Sequence, residues 1–155
     1  NPMGVKLAPK IMTMAEFEKL NAEIVDKGYW RYDRRIFLPG MGWYNDWYLE
    51  IGGPNLLSVH YKRDWAGKRP PIELVCPDGS VWCPDRKSSN GDGWVVRGEW
   101  PNITVTPSID CKPMQAAMPG GRYYHGYLTN GEFTDDLAGQ VFPVPNIGPD
   151  YGRKD

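Results

Sequence analysis

The sequence predicts an α+β fold rich in β-structure, with short antiparallel or mixed strands forming a sandwich or open barrel and one N-terminal amphipathic helix. Near the N-terminus, one stretch has apolar residues at helical spacing. The remainder alternates short apolar stretches with turn residues, as short strands do. The 18 glycines and 15 prolines supply those turns, and the 13% of aromatic residues can fill a small β core.

A single domain is expected, because 155 residues suffice for one core and no linker divides the chain. Residues 1–12 are predicted to be a loosely held arm, and residues 13–27 the helix. A β-rich core follows at residues 29–142. The proline- and glycine-rich residues 143–155 are predicted to form an extended tail.

The helix is predicted with defined ends. Thr13 and Glu16 have the spacing of a capping box, in which each side chain accepts a hydrogen bond from the other residue's amide. Gly28 stands where a helix C-terminus favours a left-handed residue. The apolar face between these ends consists of Met14, Phe17, Leu20, Ile24 and Val25.

The strands are predicted from apolar stretches bounded by turns. Two strands are expected at residues 47–51 and 56–61. A hairpin is expected where residues 72–76 and 80–83 flank a Pro-Asp-Gly turn. Further strands are expected at residues 94–98 and 103–106, and a second hairpin, at residues 123–134, has Asn-Gly at its tip.

Composition excludes several classes of function. The formal net charge of −1 provides no positive patch for nucleic acid or an anionic membrane. No apolar stretch is long enough to span a bilayer, and residues 1–10 lack the apolar core of a signal peptide. Three cysteines do not suggest a secreted disulfide framework. We therefore expect a cytoplasmic protein that needs no cofactor and binds neither nucleic acid nor membrane.

The candidate chemistry centres on Ser108 and His125. A serine hydroxyl becomes a nucleophile when a base within hydrogen-bond reach takes its proton, and histidine suits that role. A catalytic pair requires the two side chains to lie within about 5 Å of each other. Three carboxylates are available to orient the imidazole, namely Asp85, Asp110 and Asp135.

A structural zinc site is the competing use of the same histidine. Cys76, Cys83, Cys111 and His125 could supply three thiolates and one imidazole, which is a complete tetrahedral set. The six residues between the closest two cysteines exceed the usual ligand spacing, which favours buried thiols. The other histidine, His60, is expected to be structural or exposed.

Residues 70–133 resemble a known family. Residues 104–109 read Thr-Val-Thr-Pro-Ser-Ile, and residues 124–131 read Tyr-His-Gly-Tyr-Leu-Thr-Asn-Gly. These stretches resemble a family of small phage, prophage and bacterial proteins catalogued as a domain of unknown function. Its hallmark is Thr-x-x-Pro-Ser-Ile followed by an aromatic residue or Cys, then His-Gly-x-Leu-x-x-Gly. Some members occur in bacterial ubiquitin-like conjugation operons and are described as BubE-type serine peptidases.

The resemblance implies a serine peptidase that acts on a protein or ubiquitin-like tail in a bacterial host or phage-infected cell. It places Ser108 as nucleophile and His125 as general base, and we take Asp85 as the acid. Amides near Ile109 or Gly126 are expected to form the oxyanion hole. The alternative is a non-enzymatic phage protein, either a virion component or an inhibitor of a host system.

Overall fold

The computed structural model describes residues 5–29, 31, 33, 35–50, 69–87, 93–112 and 123–142. It is rich in β-structure, with two antiparallel sheets and a helix near the N-terminus, which confirms the predicted fold class. Within these residues no helix has the length and apolar character needed to cross a membrane.

The helix α1 spans Met14–Asp26 and begins as predicted. The hydroxyl of Thr13 accepts from the amide of Glu16 at 3.1 Å, and the carboxylate of Glu16 accepts from the amide of Thr13 at 3.0 Å. Both bonds satisfy amides that the helix itself leaves unpaired. After the last turn, Gly28 has φ +90°, the left-handed conformation that glycine adopts without strain.

The smaller sheet has three antiparallel strands in the order β2-β3-β4. They span Gly42–Tyr44, Ile72–Val75 and Val81–Trp82. β3 and β4 form the first predicted hairpin, and Gly79 supplies the positive φ of its turn at +87°.

The larger sheet has five antiparallel strands in the order β1-β8-β7-β6-β5. β1 spans Val5–Lys6, β5 spans Val95–Arg97 and β6 spans Thr104–Asp110. β7 spans His125–Thr129 and β8 spans Glu132–Phe133. β7 and β8 form the second predicted hairpin, in which Asn130 and Gly131 both have positive φ.

β3 forms the middle layer of the protein, and all four of its residues are buried. Ile72 and Leu74 belong to a core shared with the five-stranded sheet, whereas Val75 belongs to a second core shared with Phe17 of α1. Successive residues of a strand point to opposite faces, so β3 packs against the helix on one side and the larger sheet on the other. The second core includes the stacked rings of Phe17 and Trp43, whose centroids are 4.7 Å apart.

Parts of the sequence-based prediction are wrong in detail. Instead of a strand from residue 47, the structure has a short 3-10 helix at Asp46–Tyr48, because the side chain of Asn45 accepts from the amide of Trp47 at 2.8 Å and caps a helical turn. The supposed N-terminal arm contains β1, an edge strand paired with β8. The strand predicted at residues 56–61 lies outside the described residues.

Asp78 connects the two sheets. This residue lies in the turn between β3 and β4 and is 5% exposed. One carboxylate oxygen accepts from the amide of Ser80 at 2.8 Å, within the turn. The other accepts from the amide of Tyr124, the residue before β7, at 2.9 Å. One buried carboxylate therefore holds the turn and fixes the start of β7.

We expect Asp78→Ala to lower the free energy of unfolding by about 2–4 kcal/mol, because it leaves the Tyr124 amide buried without an acceptor and removes the turn contact. Asp78→Asn keeps one acceptor oxygen, so its free energy of unfolding should fall by less than that of Asp78→Ala. Urea unfolding monitored by tryptophan fluorescence measures both. Asp26→Ala, at an exposed position, is the control and should change stability by less than about 0.5 kcal/mol. A loss that small in Asp78→Ala would contradict this role.

Candidate active site

Ser108 and His125 lie together on the outer face of the five-stranded sheet. Nε2 of His125 is 3.3 Å from Oγ of Ser108, within hydrogen-bond distance. Both side chains are partly exposed, so they are accessible from solvent. The structure thus brings together the two residues that the sequence singled out, which are 17 positions apart in the chain.

The pairing of β6 with β7 produces this contact. Val105 pairs with Leu128 and Ile109 with Gly126, so four steps along β6 match only two along β7. The two extra residues form a bulge in β6 that includes Ser108. Because the excess is an even number, Val105 and Ile109 both still face the core, as their burial shows.

The ladder places Asp110 across from His125, although its carboxylate makes no hydrogen bond or ion pair with the imidazole in the structure. Asp110 is directly opposite His125 in the register, and the bond from the amide of Cys111 to the carbonyl of Tyr124 makes the next pair a hydrogen-bonded one. Asp110 and His125 therefore form a non-hydrogen-bonded pair, the type whose side chains approach most closely. Ser108, two residues before Asp110, points to the same face.

The backbone of His125 is held by the segment after β8. Its amide donates to the carboxylate of Asp136 at 2.9 Å, and its carbonyl accepts from the amide of Leu137 at 2.8 Å. The same carboxylate accepts from the amides of Ala138 and Gln140, which fixes the loop itself. The imidazole is therefore presented from a strand bonded on both sides.

The buried ring of Trp82 and the partly buried ring of Trp94 support the site from below. The indole nitrogen of Trp94 donates to the carbonyl of Ser108 at 3.1 Å, and Trp94 packs edge-on against Trp82. This bond gives a donor to a carbonyl in the bulge. The sequence predicts Trp94 only as part of a strand, since nothing in it indicates which carbonyl an indole will reach.

Packing restricts the residue after His125 to glycine. A Cβ atom on Gly126 would overlap the hydroxyl of Tyr124 and press on Oγ1 of Thr134. The Tyr124 hydroxyl donates to the carbonyl of Thr134 at 2.8 Å. Burial raises the pKa of Tyr124 to about 12. The His-Gly dipeptide at this position thus has a steric reason.

Asp85, taken from the sequence as the catalytic acid, is placed elsewhere. It follows β4 in the three-stranded sheet and is 1% exposed. Its two oxygens accept from the guanidinium of Arg69 at 2.7 and 3.1 Å, and one also accepts from the amide of Ile72 at 2.8 Å. The carboxylate neutralises a partly buried arginine and anchors the start of β3, which is a structural role.

Of the other two acids considered, Asp110 has the better position. It faces His125 across the ladder, and its Oδ1 accepts from the amide of Lys112 at 2.9 Å. Asp135 is exposed in the segment after β8. Among the described residues, Nδ1 of His125 makes no hydrogen bond, so this nitrogen is available to an acid across the ladder.

The expected oxyanion donors are engaged in the sheet. Ile109 and Gly126 are opposite each other, two positions from the hydrogen-bonded pair of Cys111 and Tyr124. Antiparallel ladders alternate between the two pair types, so Ile109 and Gly126 also form a hydrogen-bonded pair. Both amides therefore point at each other's carbonyl rather than at Ser108.

The four residues considered as zinc ligands do not converge. Cys76 and Cys111 meet in the core between the sheets, whereas His125 faces outward from the five-stranded sheet. In the part of the chain that the structure describes, which contains all four residues, no three His, Cys, Asp or Glu side chains are arranged to hold a metal ion. All three cysteines are buried free thiols, and burial raises the pKa of Cys76 and Cys83 well above the usual value.

Comparisons with protein-family models, curated proteins and solved structures find no match for this chain. The family resemblance of residues 70–133 therefore stays a prediction. Function has to be inferred from the geometry of Ser108 and His125 and from the residues around them.

The buried thiols lead to a direct test. Because the thiolate is the reactive form and burial disfavours it, we expect no reaction of the native protein with Ellman's reagent over minutes. After unfolding in guanidinium chloride, three thiols per chain should react. Ala22→Cys adds a thiol at an exposed helix position and should react at once. Rapid reaction of a thiol in the unmutated native protein would contradict the buried arrangement.

Proposed function

We propose that this protein is a serine hydrolase, most specifically a peptidase that cleaves a protein or ubiquitin-like tail. Ser108 is the nucleophile and His125 the general base. The observation that carries the proposal is the 3.3 Å separation of Ser108 Oγ and His125 Nε2 on an accessible face. Separations of this size are typical of nucleophile and base before substrate tightens the site.

The chemistry follows from that contact. Neutral His125, with Nε2 unprotonated, accepts the proton of the Ser108 hydroxyl as Oγ bonds to the substrate carbonyl carbon. The imidazolium then donates this proton to the leaving amine as the carbon–nitrogen bond breaks. Water, deprotonated by the same imidazole, then attacks the acyl carbon. The imidazolium returns this proton to Oγ of Ser108 as the carbon–Oγ bond breaks, which releases the acid product and restores both residues.

Asp110 is the residue we assign to orient His125. Protonation of Nε2 leaves a positive imidazole, which a carboxylate near Nδ1 stabilises. Asp110 is the carboxylate directly across the ladder from His125, and it can turn toward Nδ1 when it releases the amide of Lys112. Asp85 is engaged in an ion pair with Arg69, so we do not assign it this role.

The surroundings of the pair favour a peptide substrate. Tyr127, two residues beyond His125 on the same face, is 42% exposed, and Leu137, bonded to the backbone of His125, is 56% exposed. Exposed large apolar side chains beside a reactive pair provide contacts for the side chains of an extended segment. The resemblance to peptidases of bacterial ubiquitin-like operons supports the same substrate and a cytoplasmic location.

Labelling with a serine-reactive fluorophosphonate tests the nucleophile. We expect the wild-type protein to be labelled, Ser108→Ala not to be labelled, and His125→Ala to be labelled roughly 100-fold or more slowly, because the hydroxyl then lacks a base. Thr106→Ala, in the same strand and exposed, is the matched control and should be labelled normally. Equal labelling of wild type and Ser108→Ala would contradict the proposal and favour a non-enzymatic phage protein.

The assignment of the acid is tested by comparing two substitutions. Asp110→Asn should slow labelling by about 10- to 1,000-fold with little change in thermal stability, since an exposed residue loses only its effect on His125. Asp85→Asn should instead lower the melting temperature, because it removes the buried carboxylate that pairs with Arg69 and leaves the arginine uncompensated. Unchanged labelling in Asp110→Asn would remove Asp110 from the mechanism.

A further inference from the structure

A second polar site lies away from Ser108 and His125. It is a cavity of about 490 Å³ where α1, the 3-10 helix and the three-stranded sheet meet. This volume is within the range of about 300–1,000 Å³ typical of small-molecule sites. None of its lining residues belongs to the five-stranded sheet.

The cavity carries an excess of negative charge. Among the described residues, two guanidinium groups line it, from Arg31 and Arg86, against the four carboxylates of Glu18, Asp46, Glu50 and Glu73. Arg31 is bonded to Glu18 at 3.0 Å and to Asp46 at 2.8 Å, so these three form one partly exposed network. The described part of the lining is therefore net negative, which favours a cation as the ligand.

Glu73 is the unusual member of this set. It lies in β3, is 9% exposed, and its Oε1 accepts from the indole nitrogen of Trp43 at 3.0 Å. Its Oε2 has no hydrogen bond in the described part of the chain. Burial raises the pKa of Glu73, while the indole bond and Arg86 oppose that shift. Oε2 is not sealed in the core but is open to solvent, so a ligand in the cavity can reach it. A largely buried carboxylate with one oxygen accessible in a cavity is a candidate binding group.

Two further observations define the kind of cation. Trp47 lines the same cavity and is 37% exposed, and a tryptophan ring face attracts an organic cation within about 6 Å. Among the described residues, no three acidic or other metal-binding side chains are close enough to share a metal ion. Spread-out carboxylates beside an aromatic ring suit an extended organic cation better than a metal ion.

We propose that this cavity binds a guanidinium or primary ammonium group, with Oε2 of Glu73 as the acceptor at its floor and Trp47 along its wall. The chemistry is that of an arginine or lysine side chain or of a small free amine. Binding at this cavity does not depend on the proposed peptidase activity, because no residue is shared between the two sites.

Isothermal titration of the full chain with two probes tests this proposal. N-acetyl-argininamide represents a side chain in a peptide, and agmatine represents a free small amine. N-acetyl-citrullinamide, which has nearly the same shape without the charge, is the ligand control. We expect binding of at least one cationic probe at millimolar concentration or tighter, and at least about tenfold weaker binding of the citrulline probe, as expected for loss of a charged hydrogen bond. The stronger probe then identifies the source of the cation.

Glu73→Gln is the decisive variant, since its amide oxygen can still accept from Trp43 while the charge is lost. We expect at least about tenfold weaker binding of the cationic probe and a melting temperature no lower than that of the wild type. Trp47→Ala is a second variant expected to weaken binding, and Glu132→Gln, on exposed β8, should leave binding unchanged. The proposal is overturned if no cationic probe binds, if the citrulline probe binds equally well, or if folded Glu73→Gln binds as tightly as wild type.

Discussion

The register between β6 and β7 is the constraint on which the rest of the structure depends. It directs Val105, Ile109 and Leu128 into the core and Ser108 and His125 to the opposite face. A slip of one residue would exchange these sets, burying polar side chains and exposing the core. The hydrophobic effect that holds the two sheets together therefore also positions Ser108 and His125. The bulge lengthens β6 by two residues relative to β7. Because two is an even number, core-facing and outward-facing side chains still alternate on either side of the bulge.

Burial of β3 on both faces organises the molecule into layers. One side of this strand packs under α1, with Val75 in the aromatic core, and the other packs under the five-stranded sheet. The outer face of that sheet carries Ser108 and His125. Glu73 lies on the other side of β3 and lines the cavity next to α1. The two candidate sites are therefore separated by the hydrophobic core, and each can be changed by mutation with little direct effect on the other.

Local signals in the sequence predicted the local structure well. The capping box at Thr13 and the Asn-Gly hairpin depend on neighbouring residues, so their geometry could be read from a few positions. Partners that are distant in the sequence could not. The sequence does not distinguish among Asp85, Asp110 and Asp135 as partners of the histidine. Only the strand register shows that Asp110 is the one opposite His125. The pairing of Ser108 with His125 was anticipated as a hypothesis, but the bulge that produces it depends on the whole ladder.

Gly126 bears on how such a site is recognised in diverged proteins. Its lack of a side chain makes room for the Tyr124 hydroxyl. In the dipeptide His-Gly, the glycine is therefore required by packing, independently of any role of the histidine. On the proposed mechanism, a relative without the hydrolase activity could replace Ser108 or His125, yet its fold would still need the glycine and the tyrosine. Retention of the glycine alone would then report common architecture, and only joint retention of the serine and histidine would report shared chemistry.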